Sequence, residues 1–208
     1  MGWLVHRVEG NAQPGRIRPS QPDYAAHVSI ALPEGQFRPI TRYGEQVLHQ
    51  VCATVTAFDE GLRQLVADMF ASMHAAHGVG LAANQVGVGL RVFVVDCPDE
   101  TGEHTVAHVI NPTLDPPVER LLDDDSEGCL SVPGPYSDVA RPASATVRGV
   151  DVDGNEVVIE GTGLLARCLQ HECDHLEGRV YVDRLSAKER KRVLKEMAEP
   201  GQEPWLTD

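Results

Sequence analysis

Residues 170–178 read Gln-His-Glu-Cys-Asp-His-Leu-Glu-Gly, an H-E-x-x-H pattern that ends at Gly178. On a helix, His171 and His175 stand at i and i+4, so both imidazoles leave the same face one turn apart. Two neutral imidazoles so placed can chelate one Zn, Fe, Ni or Co ion. Glu172 points along a different vector but is adjacent, and reaches a water on such an ion, where a carboxylate works as a general base. The competing reading is an exposed helix with two solvated histidines. The rest of the chain supplies further elements of regular structure.

The surrounding pattern predicts those elements. A helix follows Thr162-Gly163, from Leu164 to about Glu177. Another runs from about Asp59 to His77, where Leu62, Leu65, Val66, Met69, Met73 and Ala76 fall on one helical face. Asp59 is placed to cap its start, and Gly78 fits the C′ position. Met69 and Met73 read as core. Leu90 to Asp96 is a buried strand and His104 to Ile110 its partner, stopped by Asn111-Pro112. Ala145–Val152 and Glu156–Ile159 flank Asp153-Gly154, a hairpin signal. A last helix begins at Ser186, where Ser186-Ala187-Lys188-Glu189 has the form of a capping box. Strands and helices mix without a βαβ rhythm, which predicts α+β. Asp123-Asp124-Asp125 reads as a solvated loop, and His74 and His77 as dipole-favouring residues near a helix end.

Composition limits the function classes. With 18 Lys+Arg against 31 Asp+Glu, the formal charge of −13 argues against binding DNA or other nucleic acid over the whole surface, while leaving room for a local basic patch. No apolar run approaches the roughly 18 residues of a membrane helix. Trp3, Leu4 and Val5 are too few for a secretory h-region, and His6 stands where a myristoylation signal has Ser or Thr. A cytoplasmic chain is expected, with its five cysteines reduced. Five of the 14 prolines lie in the first 39 residues, where apolar periodicity is poor. Residues 1–38 are expected to be an extended or partly disordered extension, 39–198 the catalytic domain and 199–208 a loose tail.

Two histidines leave a metal site unfinished, since a catalytic site of the zinc type has three protein ligands and an open position. No histidine follows His175; Glu177, Glu189, Glu196, Glu199 and Glu203 do. Upstream, Cys129 lies in the turn-rich segment Glu127-Gly128-Cys129-Leu130-Ser131. Its thiolate suits a borderline-soft ion.

Three segments taken together, in order, resemble the peptide deformylases, which remove the N-formyl group from nascent bacterial proteins. Residues 78–85, GVGLAANQ, resemble the GxGLAAxQ motif; residues 127–131 resemble EGCLS; residues 170–175 resemble QHExDH. The resemblance covers about Pro39 to Met197. It implies antiparallel β-sheets packed around a central helix that carries HExxH, with a C-terminal helix. It implies that Cys129, His171 and His175 hold one divalent ion, Fe²⁺ first, with Zn²⁺, Ni²⁺ or Co²⁺ as alternatives, and a water in the fourth position. Glu172 would take the water's proton and pass it to the leaving amine. Gln85 and the Leu130 N–H would hold the formyl oxygen as it becomes an oxyanion, since a tetrahedral intermediate needs fixed donors and a Lewis acid.

The resemblance also puts Leu164, Arg167 and Cys168, at helical spacing with His171, beside the methionine side chain, with Val79 and Gly80 along the substrate backbone. Arg167 departs from the apolar residue expected there; its stem lines the pocket while the guanidinium reaches water. Cys168 and Cys173 are read as packing residues rather than ligands. The implied partners are formyl-Met nascent polypeptides. The helix after Arg184, with Lys188, Arg190, Lys191, Arg192 and Lys195, is either a solvated face or a ribosome-docking surface. Two other readings remain: an HExxH metalloprotease, which wants a third ligand after His175, and a non-catalytic metal-binding module, which would have lost Glu172, Gln85 or Cys129.

Overall fold

A computed structural model describes residues 32–98, 102–117 and 121–206; most of the expected N-terminal extension lies outside them. In chain order the elements are α1 (Glu60–Ala75), β1 (Gly80–Ala82), β2 (Val92–Pro98), β3 (His104–Leu114), β4 (Leu122–Cys129), β5 (Val132–Pro142), β6 (Ser144–Val150), β7 (Glu156–Thr162), α2 (Gly163–Leu176) and α3 (Ala187–Glu196). Five strands form one antiparallel sheet in the order β1-β2-β3-β6-β7, and β4 and β5 form a separate two-stranded ribbon. This is the α+β arrangement predicted. Among the described residues no helix is long and apolar enough to cross a membrane.

The alternation of β2 explains how the sheet takes a helix on each face. Phe93, Val95 and Cys97 point to one side, where they pack with Val109, Val147 and Ile159 against Leu165, Leu169 and Leu176 of α2. Val92 and Val94 point to the other, against Leu62, Leu65, Val66, Met69 and Met73 of α1. A strand buried on both faces has no polar alternation, hence the continuous apolar run. A third cluster joins Val132 and Val139 of the ribbon to Leu48, Val180, Tyr181, Val182 and Val193 of α3. α2 is thereby enclosed between sheet and ribbon, and nearly all of it is buried.

Helix ends follow local chemistry. Asp59 caps α1 by accepting from the Leu62 N–H at 3.0 Å. Its C-terminus departs from expectation: His77, not Gly78, takes the left-handed C′ position at φ 56°. Gly78 is the residue beyond, donating to the Met73 carbonyl at 2.9 Å while His77 donates to His74 at 3.0 Å. A β-carbon on Gly78 would lie 2.8 Å from Leu130, so that glycine serves close packing. α2 ends in the same way at Gly178 (φ 71°), as predicted, with Gly178 bonded to His175 and Arg179 to Asp174. Ser186 caps α3 by accepting from the Glu189 N–H.

Two expected breaks are absent. β3 runs past Asn111-Pro112 to Leu114, because Asn111 adopts φ 52° at a bulge and the strand resumes. Its side chain imitates a strand: Oδ1 accepts from the Val55 N–H at 2.8 Å and Nδ2 donates to the Val55 carbonyl at 2.9 Å. Asp123-Asp124-Asp125 is not a loop but part of β4, paired with Arg141, Ala140 and Val139. A two-stranded ribbon leaves one side to water, so aspartates are tolerated there.

The described end of the extension, residues 32–38, lies along α1. Asp68 accepts from the Gln36 N–H and from Arg38 Nε, both at 2.8 Å. A β-carbon on Gly35 would meet the Ala67 carbonyl at 2.1 Å. At the other end, Glu203 pairs with Arg42, and Trp205 packs on the α1-side cluster.

The Asn111 bridge yields a stability prediction. Asn111→Ala loses both bonds and keeps a strained φ, and should destabilise by about 2–4 kcal/mol. Asn111→Gly loses the bonds alone and should cost about 1 kcal/mol less. Urea unfolding of the two variants checks the difference; equal losses would remove the strain component.

Candidate metal centre

α2 carries two donors and the ribbon a third. His171 and His175 project from one face of the helix, as i,i+4 spacing dictates. Cys129 closes β4, next to the turn into β5. The Cys129 sulfur lies 3.2 Å from His175 Nε2, which lies 3.2 Å from His171 Nε2. The three donor atoms fall within 4.8 Å of one another, and all three residues are buried. None of the downstream glutamates belongs to this group.

The donor set fits a divalent ion of the Zn²⁺ or Fe²⁺ kind, with one soft sulfur and two imidazole nitrogens. The electrostatics agree. Burial works against a proton on His171, but Cys129 and Glu127 on either side outweigh it and raise that group well above the usual imidazole range. Burial and the neighbouring His171 push His175 well below that range, leaving it neutral, as a ligand must be. The same neighbours that favour positive charge at His171 favour a cation among the three donors.

Glu127 is the group that the motif contained without advertising its task. Its Oε1 lies 2.6 Å from His171 Nδ1, the carboxylate–histidine arrangement that fixes ring and tautomer of a metal ligand. Arg141 forks onto the same carboxylate, with Nε on Oε2 and a terminal nitrogen on Oε1, both at 2.6 Å. Burial would raise Glu127, but the bonds from Arg141 and His171 overcome it and hold the carboxyl far below its ordinary range. Arg141 is 1% exposed and also donates to Asp174 at 2.9 Å. Asp174 in turn receives both Nε and a terminal nitrogen of Arg184 at 2.6 Å. Nothing in the sequence marks Arg141, which sits at an ordinary inward position of β5.

The catalytic candidates line one cleft with the donors: Gln85, Leu130 and Glu172 face it together with Cys129 and His171. His175 lies behind them and is fully buried. Glu172 is raised to about 7, chiefly by burial, and its Oε2 has no hydrogen-bond partner among the described residues. Gln85 is held at both ends of its amide. Oε1 accepts from the Ala82 N–H at 2.9 Å, which leaves Nε2 facing Ser131 Oγ at 3.3 Å and the Cys129 sulfur at 3.5 Å. Asn84, buried beside it, donates to the His175 carbonyl at 2.6 Å.

Val79, Gly80, Leu164, Arg167 and Cys168 complete the cleft wall. Gly80 is needed there: a β-carbon would stand 2.5 Å from Glu172 Oε1 and 2.6 Å from the Cys168 sulfur. Arg167 corrects the sequence-based expectation. Its guanidinium does not reach water; the residue is 4% exposed. One terminal nitrogen donates to the Val139 carbonyl at 2.7 Å and to Glu127 Oε2 at 3.2 Å, and the other to the Asp123 carbonyl at 3.0 Å. Buried carbonyls and a buried carboxylate attract the cation more strongly than the cleft mouth does.

The sequence model of the family described as Polypeptide deformylase matches residues 37–191. Peptide deformylase 1 of Streptomyces avermitilis is 58% identical over 167 residues, covering 79% of this chain and 77% of that protein. The peptide deformylase of Mycolicibacterium paratuberculosis is 50% identical over 171 residues, covering 76% and 87%. Among solved structures, the Ehrlichia chaffeensis enzyme superposes with a TM-score of 0.72 at 37% identity, over 77% of this chain and 94% of that one. The Synechococcus elongatus enzyme, solved with actinonin, gives 0.71 at 36% identity, over 84% and 96%. The motifs, the enclosed HExxH helix and these likenesses agree: the chain belongs to the peptide deformylase family.

Proposed function

We propose that this chain hydrolyses the formamide bond of N-formyl-methionine peptides, releasing formate and a free amino terminus. The observation that carries the reading is one cleft holding Glu172, Gln85, Cys129 and His171 beside the end strand β1, with His175 buried behind them. In this reading Cys129, His171 and His175 hold the ion. When bound, the ion supplies Lewis acidity toward a carbonyl oxygen and acidifies water. Glu172 takes a proton from the attacking water and returns it to the leaving nitrogen; an Oε2 without a hydrogen-bond partner among the described residues supports this. Gln85 Nε2 and the Leu130 N–H stabilise the developing oxyanion, and the Gln85 bond to Ala82 supports the fixed aim such a donor needs.

The substrate main chain pairs with the segment at Val79 and Gly80, adding a strand to the sheet edge. The methionine side chain enters between Leu164, Cys168 and the aliphatic stem of Arg167. Fe²⁺ is the ion proposed for the cell, with Zn²⁺, Ni²⁺ and Co²⁺ as chemically acceptable substitutes. Residues 39–198 form the catalytic unit in this reading. A cytoplasmic setting suits a nascent-chain substrate and five free cysteines. The metalloprotease alternative loses its ground because the third donor is Cys129 rather than a residue after His175.

Docking to the ribosome is the finer proposal about partners. On α3 the exposed Lys188, Lys191 and Lys195 recur at helical spacing, whereas Arg190 pairs with Asp183, and Arg192 with Glu189 and Glu196. The three lysines therefore present the cationic face.

Three tests follow from these roles. Glu172→Gln should keep about one metal per chain while kcat falls by roughly 10²–10⁴-fold, and Gln85→Ala should keep metal with a loss of about 10²–10³-fold. Metal analysis paired with formate release from formyl-Met-Ala reads both, and near-normal turnover of metal-loaded Glu172→Gln would refute the proton-shuttle role. Cys129→Ala should stay folded by circular dichroism but lose tight metal binding and activity; full metal content in that variant would assign the third ligand elsewhere. Replacing Lys188, Lys191 and Lys195 together by Glu should abolish co-sedimentation with ribosomes at low salt, and unchanged co-sedimentation would count against the docking face.

A further inference from the structure

The three donors belong to two bodies. His171 and His175 ride on α2, whereas Cys129 closes a strand of the ribbon, and the ribbon shares no ladder with the five-stranded sheet. Besides the apolar packing of the ribbon on Val180, Tyr181 and Val182 just after α2, polar side chains cross between ribbon and helix. Arg141 crosses from ribbon to helix, reaching Asp174. Gln170 crosses from helix to ribbon, donating to the Pro142 carbonyl at 2.9 Å. Arg167 crosses in the same direction nearer the cleft and bonds to both strands from the helix: Asp123 belongs to β4 and Val139 to β5. Its contact with Glu127 ties it to the carboxylate that orients His171.

We propose that Arg167 is a positioning residue for the metal centre: by bracing the β4–β5 ribbon against α2, it fixes the Cys129 sulfur relative to His171 and His175. The inference rests on the reading that these three residues hold an ion. A planar guanidinium can serve two diverging carbonyls and a carboxylate at once, which a lysine ammonium on a single stem cannot match. Because Arg167 also lines the cleft with Leu164 and Cys168, the wall of the substrate pocket and the brace of the metal centre are one side chain.

The test uses Co²⁺ as probe on the full chain freed of metal. Arg167→Met keeps the length and apolar stem and removes only the guanidinium, and Glu127 keeps Arg141 as partner. Its Co²⁺ affinity, read by chelator competition, should fall by about 10–100-fold, as for other outer partners of metal ligands. The Co²⁺–thiolate absorption band should shift, reporting a displaced sulfur. Arg167→Lys should recover part of both. Leu164→Ala, a change to the wall alone, should raise KM for formyl-Met-Ala and leave Co²⁺ binding unaltered.

Folded Arg167→Met with affinity within roughly threefold of the parent and an unchanged band would overturn the proposal. Should Arg167→Met not fold, Arg167→Lys decides by the same two readings. Co²⁺ binding needs no substrate, so a parent protein that binds Co²⁺ but releases no formate would defeat the functional reading and leave the brace standing.

Discussion

The Glu127 carboxylate is the interaction on which the rest of the site depends. It is almost wholly buried, yet it accepts from Arg141, Arg167 and His171 at once. Removing a carboxylate from water costs several kcal/mol, and only saturated, well-aimed partners recover that cost. Its partners come from two elements: Arg141 from β5, and Arg167 and His171 from successive turns of α2. The carboxylate therefore cannot be satisfied until ribbon and helix have docked. What it gains is definition of geometry more than net stability, because the ring it orients is a metal ligand.

Local features of the sequence were legible and long-range ones were not. The HExxH helix, its end at Gly178, the Asp59 and Ser186 caps and the hairpin at Asp153-Gly154 each depend on residues within a few positions of one another. The α+β class followed from the order of such pieces, and the three donors, which lie in two of the three motifs, followed from the family resemblance those motifs carry. Asn111 misled because Asn-Pro ordinarily ends a strand, and the side-chain bridge to Val55, 56 residues away, is invisible from position 111. Asp123–Asp125 misled because low strand propensity counts for little on a ribbon open to water on one side. His77 displaced Gly78 from the helix end because Gly78 was needed against Leu130 instead.

Arg167 shows the limit most plainly. The family resemblance implied that its stem belonged on the cleft wall, and it lies there. Which way the head turned depended on two carbonyls of the ribbon and on Glu127, none of which is near it in sequence. Arg141 carried no signal at all, since an inward position on a strand normally takes an apolar residue. Charged residues buried for the sake of a site break the hydrophobic pattern by which sequence reading works, so they are the ones it misplaces.

The end strand β1 has a consequence beyond the cleft. A sheet edge is ordinarily a template on which other chains assemble, and proteins protect themselves by blunting it. This edge is only three residues long, stopped by the end of α1 before it and by the one-turn helix Ala83–Val86 after it. Such an edge is long enough for a few residues of an extended peptide and too short to nucleate a second sheet. That brevity thus shields the protein from aggregating through its own open strand, while leaving room for only a few residues of any extended peptide.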